Sequence, residues 1–217
     1  MRQIELHLDP VDVDADGIAE AQAVAGAGAL TLDGALIIDS KYTADGEKGS
    51  QCCRQIGILS AGDDSGITFT VVGLDPDGKA QTEVITGSGD APGTAESTSY
   101  WSELTSVTAS GAAAGNVSVG TVDEFATPTI PVETGADDPV TISLERFSGT
   151  IDVTVQETFS RLQYTDSIEY KTGPTSLQNA TAATMDHLEN HASGFRVICN
   201  SYSSGGELRC IANTNRS

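Results

Sequence analysis

The chain has 217 residues, 31 acidic against 11 basic side chains for a net charge of −20, 23 glycines and only 5% aromatic residues. This is one large or two small domains, long enough to bury a sizeable core. The charge argues against direct nucleic-acid binding, because a phosphate backbone needs a lysine or arginine patch. No stretch reaches the roughly 20 apolar residues of a membrane span. The opening MRQIELHLDPVD has no apolar signal core after Arg2, so a secretory signal is not expected. Glycine with abundant Thr, Ser and Val suits short strands joined by tight turns, and predicts a mainly β protein.

Residues 1–50 predict an extended N-terminal arm. Ile4, Leu6 and Leu8 alternate as a short strand, followed by Asp12, Asp14, Asp16 and Gly17. This DVDADG run resembles the start of an EF-hand calcium loop, whose oxygens converge from alternate positions. The twelfth position, however, is Ala23 where a bidentate glutamate is needed, and only weak calcium binding is compatible with the run. The competing expectation is a short helix over GIAEAQAVAG, capped by Asp16 or Gly17.

Residues 51–130 predict a first β unit. Its organising stretch is ITFTVVGLDPDGKAQTEVIT, residues 67–86: Phe69 and Val71 alternate with Thr68 and Thr70, and Asp75-Pro76-Asp77-Gly78 supplies a turn. With Pro76 and Asp77 at the turn centre, Phe69 faces Val84. The loop after Ile85 spaces Gly87, Gly89 and Gly93 like a phosphate cradle, but its neighbours are strands and such cradles open a helix. Tyr100 and Trp101 anchor the sheet, and ELTSVTAS with NVSVGTV predicts a second hairpin across GAAAG.

Residues 131–217 predict a second β unit with a short helix and a closing hairpin. In VTISLERFSGTIDVTVQETF a turn at Ser148-Gly149 sets Leu144 opposite Val153 and Ile142 opposite Val155. A helix is expected over TAATMDHLENH. The stretch FRVICNSYSSGGELRC reads as a hairpin that sets Cys199 opposite Cys210, a geometry that permits a disulfide. Packed, reduced cysteines are the stronger expectation, and adjacent Cys52 and Cys53 suit neither a bridge nor a zinc knuckle.

Enzymatic constellations are sparse. His187 and His191, four apart on the expected helix, could share one face, but Leu188 stands where a zinc protease needs glutamate and no third ligand is evident. The pairs Asp63-Asp64 and Asp137-Asp138 sit in glycine-rich turns, where carboxylates cap or stay solvated. No catalytic, cofactor-binding or metal residues are assigned.

The run AGDDSGITFTVVGLDPDGKAQTEVITG, followed by STSYWSELTSVTASGAAAGNVSVGT, resembles a pattern found in virion structural proteins of tailed bacteriophages. A glycine-led strand, a D-x-DG turn, an E-x-x-TG return strand, an aromatic pair and a T-A-G-N-V-x-V-GT ending occur there in this order. DADGIAEAQAVAGAGALTLDGAL and SGTIDVTVQETF extend the resemblance over much of the chain. It implies a non-enzymatic structural role in the virion, assembled in the bacterial cytoplasm, with no catalytic residues to carry over. The expected function is a head decoration, or cement, protein, a homo-oligomer binding the major capsid protein on the outer shell. A tail or head-to-tail ring component is the alternative, and a receptor- or carbohydrate-binding module a further one. The expected fold is one or two antiparallel sandwich or barrel-like units.

Overall fold

The computed structural model describes residues 2–44, 51–132, 140–160, 162, 168–189 and 191–214. They form eighteen strands: β1 (Arg2–Leu8), β2 (Ala19–Ala23), β3 (Gly28–Ala29), β4 (Ile37–Ile38), β5 (Lys41–Thr43), β6 (Cys53–Ser60), β7 (Thr68–Leu74), β8 (Ala80–Thr86) and β9 (Gly93–Glu96) come first. Then follow β10 (Glu103–Ala109), β11 (Asn116–Ala126), β12 (Ile130–Pro131), β13 (Val140–Ser148), β14 (Ile151–Thr158), β15 (Lys171–Thr172), β16 (Thr184–His187), β17 (Gly194–Tyr202) and β18 (Glu207–Thr214). The protein is mainly β, and every described strand pairing is antiparallel. Two compact units emerge, one of Met1–Asp12, Ser50–Cys52 and Ala126–Ser217, the other of Val13–Gly49 and Cys53–Phe125.

In the Val13–Phe125 unit, one sheet has the order β4-β5-β10-β7-β8, with β3 also on β10. Tyr42, Phe69, Val71, Ile85, Leu104 and Val107 point from it into a core shared with Ile56 and Ile58 of β6 and Val117 and Val119 of β11. Trp101, fully buried, completes that core. Period-2 alternation accounts for this: one face of each strand is apolar and must be covered, and two facing sheets cover each other.

The β7–β8 hairpin forms where expected, but in another register. Asp75 N donates to Lys79 O (2.8 Å), and the Asp75 carboxylate accepts from the N–H groups of Asp77 (2.9 Å) and Lys79 (2.8 Å). Gly78 takes φ +76°. The connection is therefore a three-residue loop closed by a left-handed glycine. Phe69 consequently opposes Ile85, and Thr70 opposes Val84. Because side chains alternate, Val84 lies on the solvent face.

In the other unit, the four-stranded sheet runs β1-β18-β13-β16, and β14 pairs with both β15 and β17. Both hairpins expected here are instead corners. β13 pairs with β18 and β16 and not with β14; β17 pairs with β14 and β12 and not with β18. The two corners lock together. Ser203 N donates to Thr150 O (2.8 Å), Thr150 N donates to Ser203 Oγ (3.0 Å), and Ser148 Oγ donates to Gly205 O (2.6 Å). Cys199 therefore opposes Val153 and Cys210 opposes Leu6 and Leu144, so the two buried thiols lie on different sheets.

The remaining expectations change in the same way. β10 and β11 belong to different sheets and form no hairpin. GIAEAQAVAG contains β2, which pairs with β11, and TAATMDHLENH contains β16, which pairs with β13. Alanine and glutamate favour a helix only weakly, and sheet partners override them. Among the described residues, helix is confined to short 3-10 turns such as Thr175–Leu177. The expected N-terminal arm is likewise sheet: β1 is paired along its whole length with β18.

Candidate interaction face

The outer surface of the β8–β7–β10 sheet combines three adjacent rows. On β7 the outward residues are Thr68, Thr70 and Val72. Their Cα partners on β8 are Thr86, Val84 and Thr82, and on β10 Val72 and Thr70 oppose Ser106 and Thr108. Partners across an antiparallel pair share a face, so these side chains form one lattice. Thr82, Val84, Thr86 and Thr108 are exposed, Val84 at 61% and Val72 at 37%. None is charged.

That neutrality is unusual in its setting. Of the 31 acidic residues of the chain 17 lie in this unit, against four of the 11 basic ones. The acids next to the face are occupied. Glu103 pairs with Lys41 (2.5 Å). Glu83 turns to the sheet edge, where it accepts from Thr98 N (2.8 Å), Thr98 Oγ1 (2.9 Å) and Ser99 N (3.1 Å), while Gln81 Nε2 donates to Tyr100 O (3.0 Å). The segment 97–100 is thereby strapped along β8. What remains is a pleated hydroxyl and methyl surface, which can be covered by another protein with little desolvation of charge.

The residues singled out in the sequence are dispersed. Asp12 accepts from Ser204 Oγ (2.9 Å). Asp14 N donates to Thr121 Oγ1 (3.1 Å), and its carboxylate accepts from Asp16 N (3.3 Å). The run is thus engaged in turn and strand bonding. His187 lies on β16, where its Nδ1 is 2.9 Å from Thr141 Oγ1, and His191 sits at φ +74° in the following turn, so no helix aligns the two. Among the described residues, no group of three or more His, Cys, Asp and Glu side chains converges as metal ligands.

Asp63 and Asp64 diverge in role. Asp63 is exposed and caps Ser65, whose hydroxyl and N–H hold its pKa below the ordinary value. Asp64 is buried and structural. It accepts from Ser60 Oγ (2.5 Å) and Ala114 N (2.7 Å). Asp137 and Asp138 lie outside the described residues. Trp101 is wholly buried, Tyr170 carries the Arg196 guanidinium 3.6 Å from its ring centre, and Tyr202 donates to Val11 O (2.5 Å). The Gly87-Gly93 loop joins β8 to β9, strand to strand.

Burial shifts two titratable groups, Glu157, which the sequence did not single out, and Cys210, which was expected to be packed. Glu157 accepts from Glu189 N (2.9 Å), and burial raises its pKa despite that bond. The Cys210 thiol is pushed up to about 12 by burial. Both follow from sheet stacking, which no local motif announces. Comparison with known proteins supplies no precedent: no family model, no curated protein and no solved structure matches this chain.

Proposed function

We propose that this chain is a structural virion protein of a tailed bacteriophage, a head decoration protein whose β8–β7–β10 face lies on the outer capsid surface. The observation that carries this reading is the uncharged lattice around Thr70, Val72, Val84 and Thr108 in a unit with 17 acidic residues. A chain of net charge −20 approaches another protein most readily through the face from which charge is excluded. The acidic remainder then points to solvent and keeps a crowded shell from self-association. Binding that occurs only on assembled shells stabilises them by mass action.

The test mixes purified protein with capsids that lack it, sediments them and counts bound copies. Wild type binds in hundreds per shell, and Val84→Glu with Thr108→Glu, which place carboxylates in the lattice, reduces binding at least about tenfold, the effect of about 1.4 kcal/mol. Binding of a dozen or fewer copies at one vertex moves the protein to the tail. No binding to any particle sinks the reading.

A further inference from the structure

The hydrogen-bond parity of β8 leaves one side of that strand open. Asp75 N donates to Lys79 O (2.8 Å) at the loop, and Gly87 N donates to Ile67 O (3.0 Å) at the far end. The odd-numbered residues Gln81, Glu83 and Ile85 therefore exchange their backbone bonds with Gly73, Val71 and Phe69 of β7. The N–H and C=O groups of Thr82, Val84 and Thr86 point the other way, and β8 is the last strand of its sheet. Segment 97–100 does not pair with that edge. Its bonds to β8 go to the side chains of Gln81 and Glu83, which share the inner side with buried Ile85. Backbone bonds tie it instead to β6, from Ser97 N to Ile56 O (2.9 Å) and, just beyond it, from Trp101 N to Arg54 O (2.8 Å). β8 is seven residues long, keeps an unbroken register with β7 and contains no proline. Its single charge, on Glu83, is on the inner side and held by Thr98 and Ser99. An edge of this length with no proline, bulge or outward charge is a template for another strand.

We infer that β8 pairs antiparallel with β8 of a second copy of this chain, about a two-fold axis at Val84. In that register Val84 lies opposite Val84 and Thr82 opposite Thr86 of the other copy, on the exposed side, while Glu83 lies opposite Ile85 on the inner side. The pairs made by Thr82, Val84 and Thr86 are of the hydrogen-bonded kind and contribute about six backbone bonds. Charge and length select the register. An axis at Glu83 would oppose two carboxylates, which is destabilising across a strand pair; an axis at Thr82 would set Ile85 and Thr86 against Lys79 and Gly78 of the loop. Every side chain brought together on the exposed side is uncharged, so a chain of net charge −20 meets its copy where repulsion is least. The joint also carries the neutral lattice from one copy into the next, as β10-β7-β8 followed by β8-β7-β10.

The pairing takes only its purpose from the assembly reading, a lattice of twice the size to lay on a particle. Its test uses no particle and so fails separately. Sedimentation of the full chain over a range of concentrations at physiological salt is read together with backbone amide exchange. The expected result is a monomer–dimer equilibrium in which the Thr82, Val84 and Thr86 amides gain protection as dimer forms. Val84→Glu and Val84→Lys each set like charges face to face on the axis and weaken the dimer several-fold, and an equimolar mixture of the two restores it as a heterodimer. Val84→Pro removes an outward donor while leaving the β7 ladder bonded, and abolishes the dimer. The exposed charge variants carry the test if the proline variant unfolds, which circular dichroism detects. Thr108→Glu, on β10 and outside the joint, leaves the dimer intact. A monomer at every concentration, a dimer indifferent to the Val84 variants, a mixture that stays monomeric, or a dimer whose Thr82, Val84 and Thr86 amides exchange freely overturns the inference; capsid binding by such a chain leaves the assembly reading standing.

Discussion

Asp64 offers the sharpest test of how the Val13–Phe125 unit is held together. Its side chain is 2% exposed and accepts two hydrogen bonds, from Ser60 Oγ (2.5 Å) and from Ala114 N (2.7 Å) fifty residues away. Its backbone adds Asp64 N to Ser88 O (2.8 Å) and Ile67 N to Asp64 O (3.0 Å), so the carboxylate ties the entry of the organising hairpin to the β10–β11 connection. Asp64→Ala leaves the backbone bonds but strands the buried Ser60 hydroxyl and frees the N–H of Ala114, an exposed residue, to water. The unsatisfied buried hydroxyl costs about 1–3 kcal/mol and the lost bond to the hydratable amide about 0.5–1 kcal/mol, giving an expected loss of about 2–3 kcal/mol. Asp64→Asn keeps an oxygen for Ala114 N and a polar group for Ser60, and loses about 1–1.5 kcal/mol through the weaker neutral acceptor. Trp101 is the only tryptophan and lies in the core of the same unit, so its fluorescence in urea follows this unit's unfolding. Equal losses for the two variants, or less than about 1 kcal/mol for the alanine, would refute the assignment of the carboxylate as the tie.

Two further predictions concern the turn and a buried acid. Gly78→Ala forces a Cβ into φ +76° and costs about 1–2 kcal/mol, whereas Gly66→Ala, with nothing within 4 Å of the new Cβ, changes stability by under about 0.5 kcal/mol; the same fluorescence titration separates them. For Glu157, burial raises the folded pKa above 4.5, so the folded state holds the extra proton between that value and the raised one. Stability therefore falls as pH rises through that window, and Glu157→Gln, which can still accept from Glu189 N, flattens the dependence; urea midpoints by circular dichroism across pH check it. An unchanged slope in the glutamine variant would show that Glu157 is not the titrating group.

Much of the fold was legible in the sequence because period-2 alternation is a local property. The alternation of Phe69 and Val71 with Thr68 and Thr70 defined β7, its buried face and the first outward row of the candidate face. Asp75-Pro76-Asp77-Gly78 placed the turn, although not its register: the glycine closes a loop one residue longer than a two-residue turn, and that residue moves Val84 from core to solvent. The helices expected at residues 17–26 and 181–191 failed because their propensity is worth only tenths of a kcal/mol per residue, less than pairing with β11 and β13 provides.

Sequence by itself thus determined the strands of the strongly alternating stretches, among them β7, β13, β14 and β17, the buried face of β7, and the acidic balance of the chain. Tertiary structure alone decided which strands meet. Ser148-Gly149 and Ser204-Gly205 are tight turns with alternating strands on both sides, a pattern satisfied equally by a hairpin within one sheet and by a corner between two sheets. Either arrangement buries the same residues, so the local pattern carries no preference. The choice lies in non-local partners, Leu6 and Leu144 against Cys210 and Val153 against Cys199. The same holds for the neutral lattice of the β8–β7–β10 face. That lattice exists because β10 returns beside β7.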